Sequence, residues 1–154
     1  MSRAFVREQD IDSVEALSDR PVSEHPNLVT AAGLARIDAA IAEARTAHAQ
    51  AQAISDRASM NSAARELRYW SARRATAQVV AASDEVSKVR FGTSVTIRRD
   101  DGREQTFQIV GEDEADPAQG SVSHVSPLAR ALLGKSIGAV VQVGSGDVEI
   151  VSIA

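Results

Sequence analysis

The sequence contains no cysteine, which excludes disulfides and thiolate metal sites and fits a reducing compartment. It also lacks a long apolar run: no stretch approaches the ~20 residues that a membrane-spanning helix needs. Its opening residues, Met1 to Glu8, have no signal-peptide core, so a cytoplasmic protein without membrane contact is expected. Basic residues are not in excess. With a net charge of −4, nothing favours free duplex DNA, and no sequence-specific DNA binding is expected. Neither a nucleophile–base pair nor a glycine-rich phosphate loop is recognisable, which speaks against an independent enzyme.

What is present divides by composition rather than by charge. Residues 1–88 carry 11 basic and 12 acidic side chains, and residues 89–154 carry 6 and 9, so neither half is a polyelectrolyte. Alanine instead crowds Ala31 to Ala82, whereas glycine and valine dominate after Phe91. Residues 1–27 read as an irregular, frayed arm punctuated by Pro21 and Pro26, with a short helical turn over Val14, Ala16 and Leu17. Phe5, Val6, Ile11, Val14 and Leu17 are nevertheless apolar enough for the arm to pack on a later element.

Residues 28–86 read as a helical hairpin. Leu34, Ile37, Ile41, Ala44, His48 and Ala51 recur in alternating steps of three and four, the seam of a coiled coil, and Thr30 is placed as N-cap. His48 reads as a half-buried polar position, because no second ligand lies one turn away. The pattern breaks over Ser55 to Ser59, the expected tip. A second helix is expected from about Ser59 to Val86, with Met60, Ala63, Leu67, Trp70 and Ala77 inward. The short connection makes the two helices antiparallel neighbours. Arg65, Arg68, Arg73 and Arg74 form a basic face, read as solvated and supported by nearby acids.

Residues 87–154 alternate as strands after a linker near Ser83–Asp84. Ser94–Arg98 and Thr106–Val110 flank Asp101-Gly102, a strong hairpin turn signal. Ser121–Val125 is a third strand, and Val140–Val143 pairs with Val148–Ile153. Between them Ser126, Pro127, Gly134 and Lys135 supply an N-cap, a first-position proline, a left-handed C-terminal cap and a cation at the helix end. The expected class is α+β: a helical hairpin, then a small antiparallel sheet with one short helix.

The run Ile109-Val110-Gly111-Glu112-Asp113-Glu114-Ala115-Asp116-Pro117, followed by Gly120-Ser121-Val122-Ser123 and Ser126-Pro127-Leu128-Ala129-Arg130-Ala131-Leu132-Leu133-Gly134-Lys135, resembles the C-terminal signature of the GreA/GreB transcription elongation factors. The resemblance covers about Val89 to the C-terminus and, more loosely, the helices before it. It implies an FKBP-like sheet domain that docks on bacterial RNA polymerase while the coiled coil enters the secondary channel. The docking residues it implies are Val125, Ser126 and Pro127, with Asp113 and Glu114 of the acidic turn. Nascent RNA is then met only indirectly. An FKBP-like fold also raises prolyl isomerase activity, but the domain offers only Phe91 and Phe107, spaced as core residues, and no such activity is expected.

The tip departs from the family. There the resemblance implies an Asp, two residues, and a Glu followed by Asn, which help to hold a second Mg²⁺ at the polymerase active site. Matching Asp56 to that Asp puts Ser59 and Met60 at the Glu and Asn positions. The other register puts Ile54 and Arg57 at the acid positions. Neither gives paired carboxylates. Asp56, beside Arg57 and Ser59, is the one candidate ligand, for a Mg²⁺ shared with the polymerase; the chain has no cofactor of its own. Channel binding with little or no stimulated transcript cleavage is expected. A stand-alone interaction module that uses the FKBP-like domain on another partner is the alternative.

Overall fold

A computed structural model describes residues 17–154, which form two compact units. One joins the segment ending at Ser23 to Ile37–Thr76, and the other joins Glu24–Arg36 to Ala77–Ala154. The expectations for Phe5, Val6, Ile11, Val14 and Ala16 lie outside the described residues. Among those described, no helix is long and apolar enough to cross a membrane.

The first unit holds the helical hairpin from Ile37 to Thr76, and the opening turns of its first helix belong to the second unit. Helix α1 (Ala31–Ala53) and helix α2 (Arg57–Thr76) meet at a tight tip. The expected seam is the inward face: Ile37, Ala44 and Ala51 are buried, and Leu34, Ile41 and His48 are half-buried. On α2, Ala63 is buried and Met60, Leu67 and Trp70 are half-buried. An ion pair at 2.8 Å from Arg74 Nε to Asp38 Oδ1 joins the end of α2 to the early part of α1, as the antiparallel sense set by the short tip requires.

Helix α2 stops at Thr76 and does not reach Val86. Two short strands, β1 (Leu28–Val29) and β2 (Gln78–Val79), take over and pair in parallel within the second unit. Gln78 N–H donates to Asn27 O and Val80 N–H to Val29 O, both at 2.9 Å. The β-branched Val79 and Val80 suit this extended backbone better than a helix end.

The rest of that unit is a five-stranded sheet of order β5-β4-β3-β7-β6. Its strands are β3 (Ser94–Arg99), β4 (Glu104–Val110), β5 (Ser121–Ser123), β6 (Val140–Val143) and β7 (Gly146–Ile153). The Asp101-Gly102 turn joins β3 to β4 as expected, with Gly102 N–H donating to Arg99 O at 2.9 Å. Alternation places Val95 and Ile97 of β3 inward, where they join Ile109, Val122, Val148, Ile150 and Ile153. Helix α3 (Pro127–Leu132) closes this core with Ala129 and Leu132, both fully buried.

The sheet is not purely antiparallel. Strand β5 runs parallel to β4, pairing Gln108 with Ser121 and Val110 with Ser123. The chain leaves β4 through the acidic turn and a short 3-10 helix (Pro117–Gln119), which returns it to the starting end of the pair. A hairpin turn could not do this.

Gly111, the residue after β4, is buried against β1. A Cβ there would stand 2.3 Å from the Leu28 carbonyl oxygen, a contact that only glycine avoids. Gly111→Ala is therefore expected to destabilise the protein by about 1–3 kcal/mol, the usual range for forcing extra volume into a packed site. Urea unfolding of the variant checks this, and an unchanged midpoint would count against the packing described.

Candidate functional site

The parallel pairing of β4 with β5 has a direct consequence for the residues singled out in the sequence. Because Val110 lies opposite Ser123, Gly111 and His124 leave the sheet at the same end. The acidic turn and the start of α3 therefore begin side by side. His124 N–H donates to Val110 O at 2.9 Å, and its ring meets Phe91 edge-on at 5.5 Å. Buried His124 thus anchors the base of this corner.

Beyond it, Val125 N–H donates to the Ser123 hydroxyl and Ser126 N–H to Ser123 O. Ser126 caps α3 as expected, its Oγ accepting from Ala129 N–H at 3.2 Å. Pro127 follows at the first helical position and is exposed, while Val125 and Ser126 are half-buried. Gly134 takes a left-handed conformation (φ 80°) just past the helix.

The acidic turn is ordered by its own backbone, with Glu114 N–H and Ala115 N–H both donating to Gly111 O. Its side chains do not all face outward. Glu114 Oε2 accepts from the Thr30 hydroxyl at 2.6 Å, and Thr30 in turn caps α1 by accepting from Gly33 N–H at 2.9 Å. Asp116, just before Pro117, accepts Ser121 N–H and Gln119 N–H on its carbonyl.

The hairpin tip has a different chemistry. Ser55 N–H donates to Gln52 O, and Asp56 N–H to Ala51 O, which is the Schellman ending of α1. Ser55 holds the left-handed position (φ 54°) that glycine would take more easily. Asp56 then caps α2: its Oδ1 accepts from Ser59 N–H at 3.1 Å and its Oδ2 from the Ser59 hydroxyl at 2.7 Å. Both carboxylate oxygens are thereby engaged, and Arg57 is the adjacent charge. Among the described residues, no group of three or more His, Asp or Glu side chains is placed to hold a metal.

The arginines of α2 are mostly tied into the protein. Arg68 pairs with Asp19 at 2.6 Å and Arg74 with Asp38, while Arg73 is buried. The expected support by nearby acids is found at Arg68 and Arg74, whereas Arg73 departs from the solvated face by being buried. The sequence reading missed the segment at residues 19–20. Arg20 stacks its guanidinium 3.8 Å from the Tyr69 ring centre and pairs with Glu66 at 2.8 Å. Trp70 Nε1–H donates to the same Glu66 carboxylate at 3.2 Å. Over these residues the expected frayed arm is pinned to α2 by a cation between aromatic and acid groups.

Fold and site define a two-unit protein: a helical hairpin, and a sheet domain built around an acidic turn beside a serine-proline-capped helix. The family described as transcription elongation factor GreA/GreB, C-terminal, matches residues 82–154. A transcription elongation factor GreA of Sinorhizobium medicae is 35% identical over 145 residues, covering 90% of this chain and 88% of that protein. A GreA of Alkalilimnicola ehrlichii is 50% identical over 84 residues, 50% of this chain and 53% of that one. A GreA of Hyphomonas neptunium reaches 62% over 53 residues, 34% of each. The chain thus spans about a third to a half of those last two relatives. The crystal structure of GreA factor homolog 1 of Thermus thermophilus aligns with a TM-score of 0.42 at 20% identity, over 84% of this chain and 99% of that one. The chain belongs to the GreA/GreB family of transcription elongation factors.

The tip supplies a pH dependence with a definite sign. The Ser59 hydroxyl first, and then the Ser59 backbone N–H, hold the Asp56 carboxyl below its usual range. A group depressed in the folded state stabilises it above the unfolded value of about 3.9 and loses that contribution as pH falls through the folded value. The Ser59 amide resonance is expected to titrate with a midpoint below that of a free Asp, and Asp56→Asn to abolish the titration. A midpoint at or above the ordinary value would contradict the cap.

Proposed function

We propose that this protein regulates bacterial RNA polymerase in the cytoplasm by binding at the secondary channel. The sheet domain docks through Val125, Ser126 and Pro127, flanked by Asp113, and the hairpin enters the channel. The observation that carries the reading is the corner at one end of the β4–β5 pair, where the capped helix start and the acidic turn leave the sheet together. Exposed Pro127 and half-buried Val125 offer a partner apolar surface with a polar serine between them. Glu114, the other acid of that turn named by the sequence, has its carboxylate already held by Thr30. Nascent RNA is approached only through the polymerase.

The same reading makes the protein a competitor of active cleavage factors rather than a cleavage stimulator. Asp56 spends both oxygens on capping α2, and a shared Mg²⁺ would require one or two free carboxylates. Arg57 beside it adds a like charge to that of the metal.

Two experiments test this. Ser126→Asp combined with Pro127→Asn keeps a capping residue and is expected to weaken binding to core polymerase by about tenfold or more, as loss of a central contact does. Wild-type affinity in the double variant would remove the docking face from consideration. In backtracked elongation complexes, saturating protein is expected to leave the RNA unshortened and to suppress cleavage by an added active Gre factor. Ser59→Glu should then restore part of the cleavage. Robust cleavage by the wild type that disappears in Asp56→Ala would show that one carboxylate suffices.

A further inference from the structure

We propose that Glu114 is a positioning residue for the first helix, acting through Thr30, and not a contact to the partner. The inference rests on the secondary-channel reading for its functional part, because it concerns how α1 is held for that task. Three residues form the device: Thr30 and Gly33 at the start of α1, and Glu114, 84 positions after Thr30. Thr30 Oγ1 donates to Glu114 Oε2 at 2.6 Å, the length of a charge-assisted hydroxyl–carboxylate bond. The same oxygen accepts from Gly33 N–H at 2.9 Å, while Leu34 N–H donates to Thr30 O at 2.9 Å. One hydroxyl thus uses its proton on the acidic turn and a lone pair on the helix. The carboxylate also stands at the positive end of the α1 dipole, where a negative charge is favoured.

Gly33 completes the latch. Glycine in a helix is unfavourable relative to alanine, yet here a Cβ would meet Glu114 Oε2 at 2.7 Å, so any side chain at this position would displace the carboxylate. Arg36 adds a longer contact, donating from Nη1 to the Glu114 carbonyl at 3.4 Å. Glu114 is thereby committed on its side chain and on its carbonyl, and its backbone N–H is bound to Gly111 O. Its Oε2 is directed at the helix start. It is well placed to fix the first turn of a helix that continues unbroken from Ala31 to Ala53.

The test uses the full chain with Thr30→Val, Glu114→Ala, Glu114→Gln and the double variant Thr30→Val/Glu114→Ala. In the free protein, amide exchange at Gly33 and Leu34 is expected to quicken about five- to tenfold in Thr30→Val and in Glu114→Ala, the scale of a lost helix cap. The double variant should exchange no faster than the faster single variant, because both changes open one latch. Glu114→Gln, which keeps an acceptor oxygen, should fall between wild type and Glu114→Ala. Unchanged exchange in Glu114→Ala would overturn the latch. In competition binding to core polymerase, Thr30→Val and Glu114→Ala are expected to weaken affinity by the same factor, and the double variant by no more. Weakening by Glu114→Ala alone would instead make Glu114 a direct contact, and wild-type affinity in both would overturn the positioning role. If the wild type itself does not bind polymerase, the secondary-channel reading fails and the exchange data alone decide the latch.

Discussion

Two residues before the first helix and two after the second pair in parallel, Leu28–Val29 against Gln78–Val79, and the start of the acidic turn packs against that clamp. It gives the chain flanking both helices defined hydrogen-bond partners, so the backbone groups there are satisfied rather than left to water. It also brings the Leu28 carbonyl against Gly111, the first residue of the acidic turn. The turn, the cap of α1 and the last strand residue of β4 are consequently parts of one packed arrangement. A side chain at position 111 would push the clamp away, and the turn would lose its footing.

A second constraint is the direction of β5. Had this strand returned antiparallel through a hairpin, the acidic turn would have been used up as a loop and the helix start would have left from the opposite end. The 3-10 helix at Pro117–Gln119 and the left-handed Gly120 re-aim the chain, so that His124, Val125 and Ser126 emerge next to Gly111. The binding corner is thus a product of strand direction, and its individual residues are ordinary turn and cap formers.

The hairpin shows how capping and metal chemistry compete for the same atoms. A carboxylate in a tight turn finds backbone donors within reach, and Asp56 accepts two hydrogen bonds from Ser59. A dication would have to share those two oxygens with the cap. The arginines on α2 follow the same economy: Arg68 and Arg74 are matched by Asp19 and Asp38, and Arg20 rests on Tyr69. A helix whose apolar face is narrow and rich in alanine gains its order from such polar and aromatic contacts as well as from its seam.

The residues alone determined the local features. The seam of α1, the caps at Thr30, Asp56 and Ser126, the Asp101-Gly102 turn and the strands of the sheet all follow from periodicity and from side chains bonding within a few positions of themselves. Those signals are short-range, so a linear reading reaches them. What the residues alone could not settle was set by contacts between positions far apart in the chain. The end of α2 at Thr76 depends on a two-residue strand paired across the whole hairpin, and no propensity window registers a partner fifty positions away. The parallel sense of β5 depends on where the chain must return, and Arg73 and Arg20 owe their settings to neighbours the linear pattern did not reveal. Glu114 is the clearest case: in sequence it is one acid among four in a polar turn, and only the fold brings it to the cap of a helix that began eighty residues earlier.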